Sequence, residues 1–319
     1  MRGDSEDGRL ERFLRQELGD DALVLERRDV PCISRVYRAS TSAGRRLFVK
    51  WGFASAACAA EFLRRQVGNP LLPERVLDGE LVFEGHPVSV FDWREVRRIP
   101  VERMNDAQYA SLLAARSELS ALLNEPGMVA YMRDYVARTA PSIGADVRGP
   151  AVDPCDCLAT VQAFAATHPL VRWLLRPLLS IKGESLRRPP KARLTVNHGD
   201  FHAGNFGFSG DRLVVFFDFD NLAFEYSIED MVRLFCESAI DSSLTRLQRR
   251  LLMARFAEYV RSANRPADEW LFAINRFRLY YARNTLVRHF SQSRVAVQVV
   301  ARDRRLRNLL KTAVQEVSA

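Results

Sequence analysis

A chain of 319 residues with 47% hydrophobic content can bury one large domain or two lobes. No run approaches the roughly 20 apolar residues of a membrane helix, and the charged start MRGDSEDGRLERFLRQEL lacks the apolar centre of a secretory signal. The formal net charge is +8, and it is unevenly placed: residues 271–319 hold ten Arg/Lys against two acids, Asp303 and Glu316, while the remaining basic and acidic residues cancel.

A cytoplasmic protein is expected, with no membrane span and with the five cysteines (Cys32, Cys58, Cys155, Cys157, Cys236) reduced. Cys155-Asp156-Cys157 has no partner ligands at metal spacing and reads as a solvent-facing pair near a helix start. The basic C-terminal segment suggests an anionic partner (nucleic acid, acidic lipid or a phosphorylated substrate), or a solvated arginine-rich helix face.

In chain order, a first helix is expected from Asp7 to Leu18. VYRAST, GRRLFVKWGF, ELVFEG and HPVSVFDW read as strands separated by turn signals. The alanine-rich ASAACAAEFLRRQV lies between the second and third, a helix ended by Gly68-Asn69-Pro70. After Trp93 the texture becomes helical: NDAQYASLLAARSELSALL, MVAYMRDYVART and CLATVQAFAATHPLVRWLLRPLLSI, the last interrupted at His168-Pro169 and Pro177. LTVNHGD and RLVVFFDFD are short strand-like runs, expected to form a hairpin, and from Ser227 onward the pattern is nearly all helix. The reading is α+β, with a β-rich N-terminal lobe over 1–93 and a mostly helical C-terminal lobe over 94–319.

The densest polar chemistry is VNHGDFHAGNFGF, residues 196–208. Asp200 and Asn205 lie five apart on an expected loop, and Asp218 follows at the end of the apolar run LVVFF. Asp220 is two residues further, so strand alternation turns it the same way as Asp218. An asparagine oxygen and carboxylates are hard ligands suited to Mg²⁺, which takes its other oxygens from water and phosphates. A further aspartate can accept the proton of an alcohol. Together these are the parts of phosphoryl transfer from a nucleotide.

HGDFHAGNF and VVFFDFDN resemble the catalytic loop and metal-binding segment of the aminoglycoside phosphotransferase/choline kinase-like group of the protein-kinase-like superfamily. The resemblance implies a bilobal kinase-like fold, ATP and Mg²⁺ as cofactors, Asp200 as catalytic base, and Asn205, Asp218 and Asp220 at the metal. It also implies that Lys50 contacts the α/β-phosphates, with Glu61 as its ion-pair partner. Phe91 and Trp93 fall in the adenine-binding linker. Ser34, in CISRVYR, stands where the nucleotide-covering hairpin should be, although no glycine occurs from 31 to 43. His198 and Asp230 are implied supports of the loop. His202 is either a substrate contact or a structural hydrogen-bonding group.

The superfamily fold does not fix the acceptor. Aminoglycosides and choline are cations, whereas this chain ends in RFRLYYARNTLVRHF and ARDRRLRNLLK. A hydroxyl on an anionic saccharide or other small molecule is therefore favoured, with Arg276, Arg278, Arg283 and Arg288 as its binding cations. The alternatives are a bacterial serine/threonine protein kinase of the stress-response type and a non-catalytic nucleotide-binding scaffold. An arginine-tailed nucleic-acid binder has no aromatic-basic motif to support it.

Overall fold

The structure, a computed structural model, describes residues 5–28, 35–52, 56–77, 81–139, 154–169, 172–186, 194–288 and 294–318. The chain forms two compact units: Met1–Arg98 with Phe206–Asn221, and Ile99–Asn205 with Leu222–Ala319. The units are thus interleaved along the sequence, whereas the sequence reading divides the chain once, after Trp93.

The first unit opens with α1 (Glu6–Leu18), capped by Ser5, whose hydroxyl accepts from the Gly8 N–H at 3.2 Å. Five strands follow: β1 (Val24–Arg28), β2 (Arg35–Ser40), β3 (Arg46–Trp51), β4 (Leu81–Phe83) and β5 (His86–Asp92). They form an antiparallel sheet in the order β1-β2-β3-β5-β4, with α2 (Ala56–Arg65) inserted after β3. Strand alternation sorts the side chains. Leu47, Val49 and Trp51 are buried in one cluster with Tyr37, Ala39, Val88, Val90 and the α1 residues Leu10 and Leu14. Phe48 and Lys50 therefore face the other side of β3, where Phe48 meets Phe91 at 6.4 Å between ring centroids. β1 has no counterpart among the expected strands, because its VLERR is almost fully exposed and lacks an alternating pattern.

The second unit begins with α3 (Asp106–Leu123), closed by an Asn105–Gln108 capping box, then α4 (Pro126–Thr139), α5 (Pro154–Thr167), α6 (Arg172–Leu179) and β6 (Leu194–Asn197). The next strands, β7 (Phe206–Ser209) and β8 (Arg212–Phe216), are a hairpin belonging to the first unit. β9 (Ala223–Tyr226) and four helices complete the second: α7 (Glu229–Ile240), α8 (Arg246–Ala263), α9 (Ala267–Arg288) and α10 (Arg294–Ser318). α9 is central to a core in which Leu279, Ala282 and Leu286 pack with Cys157, Val161 and Phe164 of α5 and with Ala296 and Val299 of α10.

Three local expectations are corrected. LTVN and RLVVF do not pair with each other: β6 pairs with β9, and β8 with β7. The sequence reading passes over FGFS and AFEY because four-residue strands carry too few positions for a period. Pro177 does not interrupt α6, which continues to Leu179. Of the Cys155/Cys157 pair, Cys155 is exposed but Cys157 is fully buried, since two positions on a helix lie about 200° apart. Among the described residues no helix is long and apolar enough to cross a membrane.

Candidate active site

In the second unit the polar cluster follows β6 directly. Gly199 has φ +74°, a conformation that favours glycine and turns the chain out of the strand. Asp230, in the first turn of α7 and 4% exposed, fixes that turn. Its two carboxylate oxygens accept from the backbone N–H groups of His198 at 3.0 Å and Gly199 at 3.1 Å. His198 is wholly buried, with its ring edge-on to Phe201.

The carboxylate of Asp200 is presented by this pinned turn. Arg233, one helical turn after Asp230, places Nη2 at 2.5 Å from Asp200 Oδ1, and its Nη1 donates to the Gly199 carbonyl at 2.7 Å. Asn205 Nδ2 donates to the Asp200 carbonyl at 2.9 Å and to Oδ2 at 3.2 Å. That orientation leaves Asn205 Oδ1 as the atom able to ligate a cation. His202 Nε2 lies 3.6 Å from Asp200 Oδ2, while its Nδ1 accepts from the Gly204 N–H at 3.0 Å. A Cβ on Gly204 would fall 2.6 Å from the His202 ring, so a larger residue there would displace the ring. Burial pushes the Asp200 carboxyl up. The hydrogen bond to His202 and the charges of Arg233, His202 and His198 outweigh it and hold the group well below the usual carboxylate range. Asp200 is thus an oriented, ionised carboxylate.

The first unit holds a second group of charges. Lys50 Nζ lies 2.7 Å from Asp218 Oδ1 and 2.5 Å from Asp220 Oδ2. Burial lowers the Lys50 ammonium, but the two carboxylates outweigh it and its pKa is raised. Neither aspartate stands on a strand. β8 ends at Phe216, Asp218 takes φ +59°, and Asp220 lies in a 3₁₀ turn over Phe219–Asn221. Strand alternation therefore does not explain their common direction. The turn is instead seated on α2, where Phe219 meets Phe62 at 5.1 Å between ring centroids. Two carboxylates gathered on one cation offer hard oxygen donors, a set that fits Mg²⁺ completed by phosphate and water. Among the described residues there is no group of three or more His, Cys, Asp or Glu able to hold a metal by itself.

Several other expected residues stand differently. Glu61 does not pair with Lys50. It bonds Arg64 and Arg65 of its own helix at 2.9 and 2.6 Å, because i,i+3 and i,i+4 neighbours are already within reach. The Trp93 N–H donates to the Arg46 carbonyl at 3.0 Å, extending the sheet. Phe91 presents its ring beside Phe48 on the Lys50 side of the sheet. Ser34 lies outside the described residues, as does the side chain of Arg288. Arg278 is 5% exposed and pairs with Asp303 at 2.7 Å, so it is a core ion pair rather than a receptive surface cation. Arg276 pairs with the buried Glu229 at 3.2 Å, and Arg283 donates to Asn284 at 3.4 Å.

Two residues escape the sequence reading. Arg233 is one more arginine in an apolar helix until Asp230 is seen to pin the loop one turn earlier. Arg98 lies over the Phe217 ring at 4.4 Å, where burial lowers its pKa against the opposing charge of Asp218.

A β-rich unit carrying a half-buried lysine between two aspartates, with a helical unit carrying an HGD loop, defines a kinase-like phosphotransferase. The model of the phosphotransferase enzyme family (APH) matches residues 26–273, and the chain belongs to that family. The fold is similar to that of amicoumacin kinase hAmiN in complex with AMP-PNP, Ca²⁺ and Ami, at 13% identity and TM-score 0.57, over 94% of this chain and 93% of that one. It is also similar to a thermostable mutant of aminoglycoside phosphotransferase APH(4)-Ia in ternary complex with ADP and hygromycin B, at 14% identity and TM-score 0.52, over 95% and 98%. A third similar structure is macrolide 2′-phosphotransferase MphH from Brachybacterium faecium, at 14% identity and TM-score 0.50, over 93% and 97%. No curated protein matches the chain.

Proposed function

We propose that this phosphotransferase moves the γ-phosphoryl group of Mg-ATP to a hydroxyl of an anionic small-molecule or saccharide acceptor in the cytoplasm. The observation that carries the reading is Asp200: an ionised carboxylate, oriented by Arg233 and Asn205 on a loop pinned by Asp230. Such a group orients an alcohol and accepts its proton as the oxygen bonds to phosphorus. Asp218, Asp220 and Asn205 Oδ1 are the oxygens that would hold the metal. Bound there, Mg²⁺ would neutralise charge on the phosphate oxygens. Lys50 and the Phe91 ring, on one side of the sheet, are the residues assigned to the nucleotide's phosphates and base. Ser34 is assigned to a phosphate and Trp93 to the base edge. The AMP-PNP and ADP complexes of the structural neighbours support a nucleotide donor.

The anionic acceptor rests on the excess of ten Arg/Lys over two acids in residues 271–319. Arg276 and Arg278 support it less, because both are engaged in ion pairs. The test is transfer of label from γ-labelled ATP with Mg²⁺ to a panel of phosphorylated sugars, neutral sugars, aminoglycosides and protein. Label on phosphorylated sugars is expected. Label confined to aminoglycosides or to protein would refute the acceptor class, and no transfer to any acceptor would refute the activity.

A further inference from the structure

We propose that the second unit carries an accessory pocket for an anionic small molecule with an apolar body, separate from the Asp200 site. A cavity of ≈ 640 Å³ lies among α6, the 3₁₀ turn Gly183–Leu186, α9 and α10. Its volume is that of an ordinary small-molecule site, roughly 300–1,000 Å³. Its wall is apolar at Pro177, Ile181, Leu271 and Leu310. Around this wall stand Arg176, Lys182, Arg307 and Lys311, with the indole of Trp173 71% exposed beside them. Among the described residues no acidic side chain lines the cavity. The neighbouring carboxylate, Asp303, is shared by Arg278 and Arg307 at 2.7 and 3.1 Å. Arg176, Lys182 and Lys311 are exposed cations whose field is concentrated over an apolar wall.

The geometry of α9 sets this pocket apart from Asp200. Leu271, Asn275 and Arg278 are spaced four and three residues apart, so they share one helix face, and that face lines the cavity. Arg276 and Tyr280 share a different face. Arg276 pairs there with Glu229 of α7, and the Arg233 guanidinium that holds Asp200 lies 6.0 Å from the Tyr280 ring centroid. Tyr280 is two residues beyond Arg278, about 200° around the helix. α9 therefore stands between the pocket and the Asp200–Arg233 pair. The ligand the pocket fits is a phosphate or carboxylate joined to an aromatic or aliphatic group: the anion meets Arg176, Lys182 and Lys311, and the apolar part meets Leu271, Leu310 and the Trp173 indole.

The test uses 1-naphthyl phosphate as probe, titrated calorimetrically into the full chain saturated with AMP-PNP and Mg²⁺. Binding is expected in the presence of the nucleotide, and 1-naphthol should bind at least tenfold more weakly. The triple variant Arg176→Glu, Lys182→Glu, Lys311→Glu should lose at least tenfold in affinity with an unchanged thermal midpoint. If the triple variant does not fold, Lys182→Glu alone should cost about threefold, each charge contributing part of the attraction. Absence of binding, displacement by AMP-PNP, equal affinity for 1-naphthol, or unchanged affinity in the charge-reversed protein would overturn the proposal. None of these outcomes depends on phosphoryl transfer, so the proposed activity can fail or stand independently.

Discussion

Arg233 Nη2 lies 2.5 Å from Asp200 Oδ1, and the same guanidinium holds the carbonyl of Gly199. One helical side chain thus holds both the candidate base and the backbone before it, and with His202 it keeps the carboxylate ionised. An opposite charge at this distance moves a carboxylate by about 1–3 pKa units.

The first prediction is a pH effect. Asp200 lies well below the usual carboxylate range, so in the native protein it stays ionised throughout pH 5–8 and imposes no acid limb there. Arg233→Met removes one of the charges that depress it and leaves the burial that raises it. The acid limb of kcat/KM should move toward neutrality by about one unit or more. The stability sign is the same. A depressed carboxylate stabilises above its unfolded pKa, and that contribution is lost as pH falls through the folded value. Arg233→Met should therefore lose stability at neutral pH while closing the gap to the native protein in acid. pH–rate profiles and melts across pH 3–8 check both.

A second prediction concerns Asp230. Asp230→Asn exchanges one acceptor oxygen for an NH₂ that faces a backbone N–H, leaving a buried donor unsatisfied at His198 or Gly199. Denaturant unfolding should show a loss of about 1–3 kcal/mol. Because the turn carries Asp200, kcat should fall more than the affinity for nucleotide.

The Lys50 group gives the third. Lys50→Met removes the ammonium that Asp218 and Asp220 share, so turnover should fall more than about tenfold. Glu61→Gln breaks only a pair with Arg64 and Arg65 on one helix, worth a few tenths of a kcal/mol, and should leave turnover within about twofold. Parallel steady-state assays of the two variants decide between Asp218/Asp220 and Glu61 as the partners that matter to Lys50.

Arg278 supplies the fourth. It is 5% exposed and Asp303 is 4% exposed, so Arg278→Met leaves a buried carboxylate with a weakened counter-charge. Chemical unfolding should show destabilisation of about 3–5 kcal/mol. Arg283→Ala, by contrast, loses a long 3.4 Å contact to Asn284 and should change stability by less than about 0.5 kcal/mol. A rise in acceptor KM in this variant alone would place the acceptor's charge on α9.

What the sequence shows and hides follows from the kind of signal each residue gives. Asp200, Asn205 and Asp218 are legible because a short loop and its flanking apolar runs fix their spacing, and Asp230 through the family resemblance. Lys50 is legible through the family resemblance, at the end of the run RRLFV. Its partners are not, since Asp218 and Asp220 are 168 and 170 positions away in the chain, and only the seating of Phe219 on Phe62 brings them to it. Glu61 illustrates the converse: the family resemblance implies a distant partner, while helix geometry supplies two nearer ones. The buried Arg278 reads from sequence as one of a row of surface cations, because burial of an arginine depends on a carboxylate 25 positions away. β7 and β9 are hidden by their brevity, and the interleaving of the two units by the absence of any composition shift at residues 206 and 221.

The most direct test of phosphoryl transfer by an Asp200 base is a paired measurement on the native protein and Asp200→Asn. Nucleotide affinity comes from titration calorimetry with Mg-ATP, and kcat from label transfer to an accepted hydroxyl compound. The substitution is nearly isosteric and removes the charge that orients and deprotonates the alcohol. The predicted result is a kcat lower by about 10²-fold or more with a nucleotide Kd within a few-fold of native. Retained transfer in Asp200→Asn would contradict the assignment, and loss of nucleotide binding would make Asp200 a structural or metal-holding residue instead.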